Sequence, residues 1–231
     1  WVEWALGIKE PPQDSWQKDN RFYDPFRPHI EPNGFVSHEE MLVSRQATLE
    51  AFRRTLVESS LFVFTLGLTE CWRNTEQNYE YAVCPGTVAG EFDKDKHTFV
   101  NLDVKSVSQA LIKSIRLIRE VNPKIRFLLT VSPVPLTATA SGKHVLLATM
   151  LSKSVLRSAA NEVALKRRYV DYFPSFEIIN ATPFKGMFFE PNMRGVNPAG
   201  VRLVMEHFFS GQKSKTSKGS ESSQDAVCEE E

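Results

Sequence analysis

The sequence carries no excess of charge of either sign: 28 lysines and arginines meet 28 aspartates and glutamates. No basic stripe interleaved with aromatics appears, so nucleic acid is not expected as a standing partner. Cysteine is scarce, with only Cys71, Cys84 and Cys228, and no two are spaced as CxxC. That excludes a disulfide framework and a thiolate zinc site. Read as free thiols, the three place the protein in a reducing compartment, and a cytoplasmic location is expected. The longest apolar runs, Leu61 to Leu66 and Ile125 to Val131, are far too short to span a bilayer. There is no GxGxxG and no Walker loop, so no nucleotide is implied and no cofactor or metal is expected. A secretory signal is also absent, and the first residue is Trp1, not methionine.

What is present follows the pattern of one α/β domain within 231 residues. Residues 1–36 are rich in proline and aromatics, among them Trp4, Trp16, Phe22, Phe26 and Phe35. The prolines disfavour long helices and sheet ladders, so this segment is expected to be an arm that wraps an existing surface. Residues 37–209 are expected to form the α/β domain, and 210–231 a disordered polar tail.

Within the domain, Ser37 or His38 opens a helix with Glu39 and Glu40 in its first turn, where the macrodipole favours acids. Leu61–Leu66 reads as a buried strand, 104–121 as an amphipathic helix stopped by Asn122-Pro123, and Ile125–Val131 as a second buried strand. A helix over about 143–169, a short strand at Phe176–Ile179 and a closing helix over 198–209 complete the order. Alternating helices and buried strands imply an open parallel sheet. Three strands are few, since such sheets usually hold about five or six. The expectation is a sheet incomplete at its N-terminus, with its first strand upstream of Trp1. These residues expressed alone should therefore be poorly soluble.

Ligands of open α/β sheets bind beyond the carboxyl ends of the strands. Three segments occupy that edge. Gly67-Leu68-Thr69-Glu70 follows the first strand: Gly67 offers a backbone turn and amides for an oxyanion, and Glu70 an acid, base or acceptor. The competing reading is an ordinary turn capped by Trp72. Ser132 follows the second strand without a GxSxG setting, so it is read as structural. His144, at a loop-to-helix junction, is the better candidate for a proton acceptor, against the common structural role of a lone histidine. Lys153 and Arg157 share one helix face and could hold a carboxylate or phosphate; by composition alone, a solvated basic face is the reading preferred. The third segment, 188–198, holds Glu190, Asn192 and Arg194 but neither aspartate nor histidine, which argues against a simple triad. Residues 73–100 are long for a connection and are expected to form a lid or substrate loop.

Phe64–Glu70, Cys84-Pro85-Gly86 and Leu129–Pro135 resemble stretches of the GSCFA family, as do His144–Leu146, Ser152–Arg157 and Tyr172–Glu177. The resemblance is dispersed, in order, and spans about residues 20–209. It implies likeness to the SGNH hydrolases, with a flavodoxin-like three-layer α/β/α sandwich and chemistry on esters. The family's naming motif, Gly-Ser-Cys-Phe-Ala, is absent from this chain and would put a serine after the first strand, upstream of Trp1. Gly67 to Glu70 would stand where SGNH enzymes place an oxyanion-hole asparagine, with Thr69-Glu70 in its place. Asn192 to Asn197 would stand where they carry Asp and His.

These readings leave two functions open. One is an ester hydrolase or acyltransferase, acting on a small-molecule or carbohydrate ester. In it an upstream serine attacks, His144 and Glu70 handle protons, and Gly67, Thr69, Asn192, Arg194 and Lys153 bind substrate or oxyanion. The other is a catalytically inactive ligand- or glycan-binding module on the same fold. A scaffold that docks a partner through residues 1–36 is a third, weaker reading.

Overall fold

The computed structural model describes residues 1–213, which divide into two compact units, Trp1–Pro174 and Ser175 onward. The expectations for a disordered end and for Cys228 lie outside the described residues, from 214 on.

In the first unit, α2 (His38–Glu58) begins where Ser37 accepts a hydrogen bond from the Glu40 amide, an N-cap that satisfies one of the orphan donors of the first turn. Its buried face is Met41, Arg45, Leu49 and Leu56, at helical spacing but with an arginine in the middle. Next come β3 (Leu61–Leu66), α3 (Val104–Val121) and β7 (Arg126–Val131), then α4 (Val145–Leu165) and β8 (Val170–Tyr172). Asp103 caps α3 by accepting from the Ser106 amide. The Asn122 side chain donates to Leu56 and Ser59 carbonyls, tying the end of α3 to the end of α2.

β3, β7 and β8 form a parallel sheet in the order β3-β7-β8, with Leu61 opposite Arg126 and Leu66 opposite Val131. The molecule is thus a mixed α/β protein built on a three-stranded parallel sheet. α4 packs on β7 and β8 through small and branched residues, Ala148, Ser152, Val155, Ala159 and Val163, all buried.

The third strand is not Phe176–Ile179. That stretch is helix α5 (Ser175–Asn180), and the sheet is completed by Val170–Tyr172, paired from Phe127 to Leu129. A short apolar run cannot be assigned to strand or helix by periodicity, and the helix forms just after Pro174. β3 is a strand, as its composition implies, but it is not buried. It lies at the sheet edge, and only Leu66 is covered; Val63 is 48% and Phe64 41% exposed.

Residues 73–100, expected as a lid or substrate loop, contain regular structure. With 70–74 they make a second, antiparallel sheet in the order β5-β4-β6, from β4 (Glu70–Asn74), β5 (Tyr79–Tyr81) and β6 (His97–Asn101). Residues 1–36 also hold more regular structure than their prolines suggest. A short α1 (Val2–Ala5) precedes a hairpin of β1 (Trp16–Lys18) and β2 (Arg21–Tyr23). Its turn residues Asp19 and Asn20 both take positive φ, the geometry that matches strand twist in two-residue hairpins. Trp16, Tyr81 and Ala89 form a small core between hairpin and antiparallel sheet, flanked by Phe26, Trp72 and Tyr79.

A buried ion pair pins this N-terminal segment to α2. The Asp24 carboxylate accepts from Arg45 at 2.9 and 3.1 Å and from Arg27 at 2.8 Å. Arg45 also donates to the carbonyls of Pro12 and Asp14. The anchors Trp4, Trp16 and Phe26 therefore pack within the chain.

The second unit contains α5, a 3₁₀ turn at Thr182–Phe184 and α6 (Pro198–Lys213), which runs beyond the end at 209 expected from the sequence. Asn197 accepts from the Gly200 amide at the start of α6 and donates to the Met187 carbonyl. Among the described residues, no helix is long and apolar enough to cross a membrane, and no group of three or more His, Cys, Asp or Glu could hold a metal ion.

Candidate active site

The polar feature of the first unit lies at the carboxyl end of β3, where two adjacent residues of α4 hold both sides of one turn. The Lys153 ammonium donates to the Gly67 carbonyl at 2.8 Å, and the Thr69 amide donates to the Ser152 hydroxyl at 3.0 Å. Neighbouring helix positions diverge, so they can grip a chain only on either side of the residue between, here Leu68. Ser152 is fully buried and Lys153 is 2% exposed.

Burial pushes the Lys153 amine down to about 8, because an ammonium is poorly solvated there. Its hydrogen-bond partner is a neutral carbonyl, so no carboxylate opposes that shift. The sequence alternative of a solvated basic face is thereby replaced: Lys153 is interior. A buried titratable amine at the ligand edge of a parallel sheet marks a functional-site candidate.

The turn is braced further along. The Thr69 hydroxyl donates to Asn101 Oδ1 at 2.6 Å, and the Leu102 amide donates to the Thr69 carbonyl at 2.9 Å. Glu70 pairs opposite Asn101 in the antiparallel sheet. Its carboxylate accepts from the Thr139 hydroxyl at 2.7 Å, and Thr139 is hydrogen bonded to Ser141. Gly67, Thr69, Glu70 and Lys153 are therefore brought together, with Ser152, Asn101 and Thr139 added. Gly67 itself has an ordinary negative φ, and a Cβ there would meet nothing within 4 Å. The glycine is not required by a sharp turn, as its position suggested; it faces open space.

His144 is exposed and is the N-cap of α4. Its Nδ1 accepts from the Leu146 amide at 3.3 Å, so the neutral ring carries its proton on Nε2. Ser132 has a structural place: its amide donates to the Leu66 carbonyl and its hydroxyl accepts from the Val134 amide. Asn192 and Arg194 lie in the second unit, both exposed. The Asn192 side chain accepts from the Arg194 and Gly195 amides at 2.8 and 3.3 Å, which shapes its own loop. Neither described cysteine is an activated thiolate. Burial, aided by Glu80, pushes Cys71 up to about 11, and burial raises Cys84 as well.

Ser152 lacks a Ser-x-x-Lys pattern, and a serine within a helix carries little signal of a role in holding a turn. Its register was the available clue: it stands four residues from both Ala148 and Leu156, on the core face. Asn101 and Thr139 carried none, since each reaches the turn by pairing across distant sequence.

The sequence model described as the GSCFA family matches residues 1–208. No curated protein matches the chain significantly.

Proposed function

The chain belongs to the GSCFA family, and from that premise we propose that it forms the substrate-facing part of an ester hydrolase or acyltransferase. The substrate would be a small-molecule or carbohydrate ester. The observation that carries this reading is the buried Lys153 amine on the Gly67 carbonyl, at the edge where open α/β sheets bind ligands. The proposal includes a flavodoxin-like, three-layer arrangement of the SGNH kind for the whole domain. It also includes a cytoplasmic location, supported by the unpaired thiols of Cys71 and Cys84.

In this mechanism a serine from a segment outside the 231 residues attacks the acyl carbon. His144 accepts the hydroxyl proton and passes it to the departing alkoxide, which leaves as an alcohol. Water, or an acceptor hydroxyl, then resolves the acyl-enzyme. The Gly67 amide and the Lys153 ammonium stabilise the oxyanion and orient the ester, and Thr69, whose amide is held by Ser152, fixes the shape of the turn. Glu70 positions the substrate through the Thr139–Ser141 hydroxyls.

A second reading, a binding module without turnover, is favoured by how its candidate groups are engaged. His144 Nδ1 caps α4, the Glu70 carboxylate accepts from Thr139, and Asn192 holds its own loop. Acting as a base requires His144 to release its cap.

The test is a fluorophosphonate serine probe on the longest natural form of the protein, with the labelled residue mapped by mass spectrometry. Labelling at a serine outside these residues, with ester turnover falling about 10²-fold or more in His144→Ala, is the expected result. Unchanged turnover in that variant removes His144 from the mechanism. No labelling of a folded protein, with retained ligand affinity, selects the binding module.

A further inference from the structure

The amino ends of β7 and β8 gather arginines around an open cleft of about 360 Å³, lined by Ile112, Arg116, Arg119, Glu120, Arg167 and Tyr169. The Lys153 turn is at the other end of the parallel sheet, after the carboxyl end of β3. Arg116 and Arg119 come from the last two turns of α3, three residues apart and so on one face. Arg167 comes from the connection between α4 and β8, so the guanidiniums stand on two walls of the cleft.

The sheet fixes part of this arrangement. Arg119 Nη1 donates to the Ile125 carbonyl at 2.8 Å, and its guanidinium lies over the Tyr169 ring at 3.9 Å. The Tyr169 carbonyl in turn accepts from the Phe127 amide of β7 at 2.8 Å. A guanidinium carries five N–H donors, and Arg119 spends one of them on Ile125. Arg167 reaches the Val163 carbonyl at 3.5 Å. Arg116 meets Glu120 at 3.7 Å across the helix surface, an exposed pair that contributes little.

Helix ends do not account for all of this charge. α3 and α4 both finish beside the cleft, and each C-terminus carries about half a negative charge. With Glu120 that makes about two negative charges against three arginines, a surplus of about one positive charge. Like charges held together repel, and a bound oxyanion removes the repulsion while taking up the free donors.

We propose that the cleft binds the phosphate group of a small phosphate monoester. Arg116, Arg119 and Arg167 hold its terminal oxygens, and its organic part lies against Ile112 and the Tyr169 ring. Donors from two walls suit a tetrahedral group with three free oxygens, whereas a carboxylate offers two in one plane. The inference is independent of the ester chemistry proposed above and uses none of its residues.

The probe is phenyl phosphate, with binding to the longest natural form of the protein measured by equilibrium dialysis at low ionic strength. One molecule should bind per chain, about fivefold or more tighter than inorganic phosphate, because the ring is desolvated on the apolar wall. It should also bind about tenfold or more tighter than benzoate. Arg119→Gln and Arg167→Gln should each weaken it about tenfold or more, the loss of one charge-assisted contact. Glu120→Gln should tighten it about twofold or more by removing the opposing carboxylate, a gain that a misfolded variant cannot produce. Lys153→Met should bind as the parent does.

No binding to the folded parent, or no gain in Glu120→Gln, overturns the proposal. Loss in Lys153→Met with both arginine variants unchanged moves the anion to the Lys153 turn and overturns the cleft. Benzoate as tight as phenyl phosphate overturns a phosphate site, and inorganic phosphate as tight overturns an organic ligand.

Discussion

Replacing Lys153 with methionine tests whether the interior amine is held against its preference for charge. In the folded protein its pKa is about 8, against 10.5 for an ordinary lysine. Below pH 8 both folded and unfolded states hold the proton, and folding bears the full cost of burying the ammonium. At 1.36 kcal/mol per pKa unit, that cost is about 3 kcal/mol. Between pH 8 and 10.5 the unfolded chain binds more protons than the folded one, so stability contributed at this site rises with pH. Above 10.5 both states are neutral and the cost is gone. Methionine has similar length and no charge, so it removes the pH-dependent part and one hydrogen bond to Gly67. Urea unfolding followed by circular dichroism, on parent and Lys153→Met at intervals from pH 7 to 11, isolates the effect, because other titrations cancel in the difference. The parent should gain about 3 kcal/mol relative to the variant across that range. A difference flat to within about 0.5 kcal/mol, or one that falls with pH, would refute a buried, unopposed amine.

Two structural predictions follow from the N-terminal segment. Asp24→Asn removes the charge that faces Arg45 while leaving the guanidinium buried; the loss should be about 3–5 kcal/mol, with early proteolysis within residues 1–36. A loss under about 1 kcal/mol would mean the carboxylate matters little. Gly90→Ala sets a Cβ 2.7 Å from the Trp16 ring at a φ of +73°, whereas at Gly142, with φ of +71°, nothing lies within 4 Å. Thermal unfolding should therefore show Gly90→Ala costlier than Gly142→Ala by about 1–3 kcal/mol, the overpacking alone, and equal costs would contradict the packing.

The outcome divides along how far each element depends on local sequence. The three long helices were legible to within a few residues. Ser37 and Asp103 cap two of them, Asn122-Pro123 stops the second, and their apolar periodicity is independent of partners. The two longer parallel strands were legible from uninterrupted apolar runs. The antiparallel sheet was not, because Glu70 pairs with Asn101 and its short strands are partly polar; only that long-range register makes them strands. The same holds for Val170–Tyr172, whose place depends on Phe127–Leu129.

The candidate site was half legible. Gly67 to Glu70 could be chosen because the carboxyl end of an apolar strand is where such sheets bind ligands. What sequence alone determined was thus local: where helices begin and stop, which runs are apolar enough for strands, and which turn follows the first of them. What only the tertiary structure decided was environment. It buried Lys153 and Ser152 against the Gly67–Thr69 turn, turned Arg45 inward to Asp24, and left an apolar strand at an open edge. Burial, and with it the protonation of an amine or the exposure of a phenylalanine, depends on neighbours brought from far along the chain, and no local pattern records them.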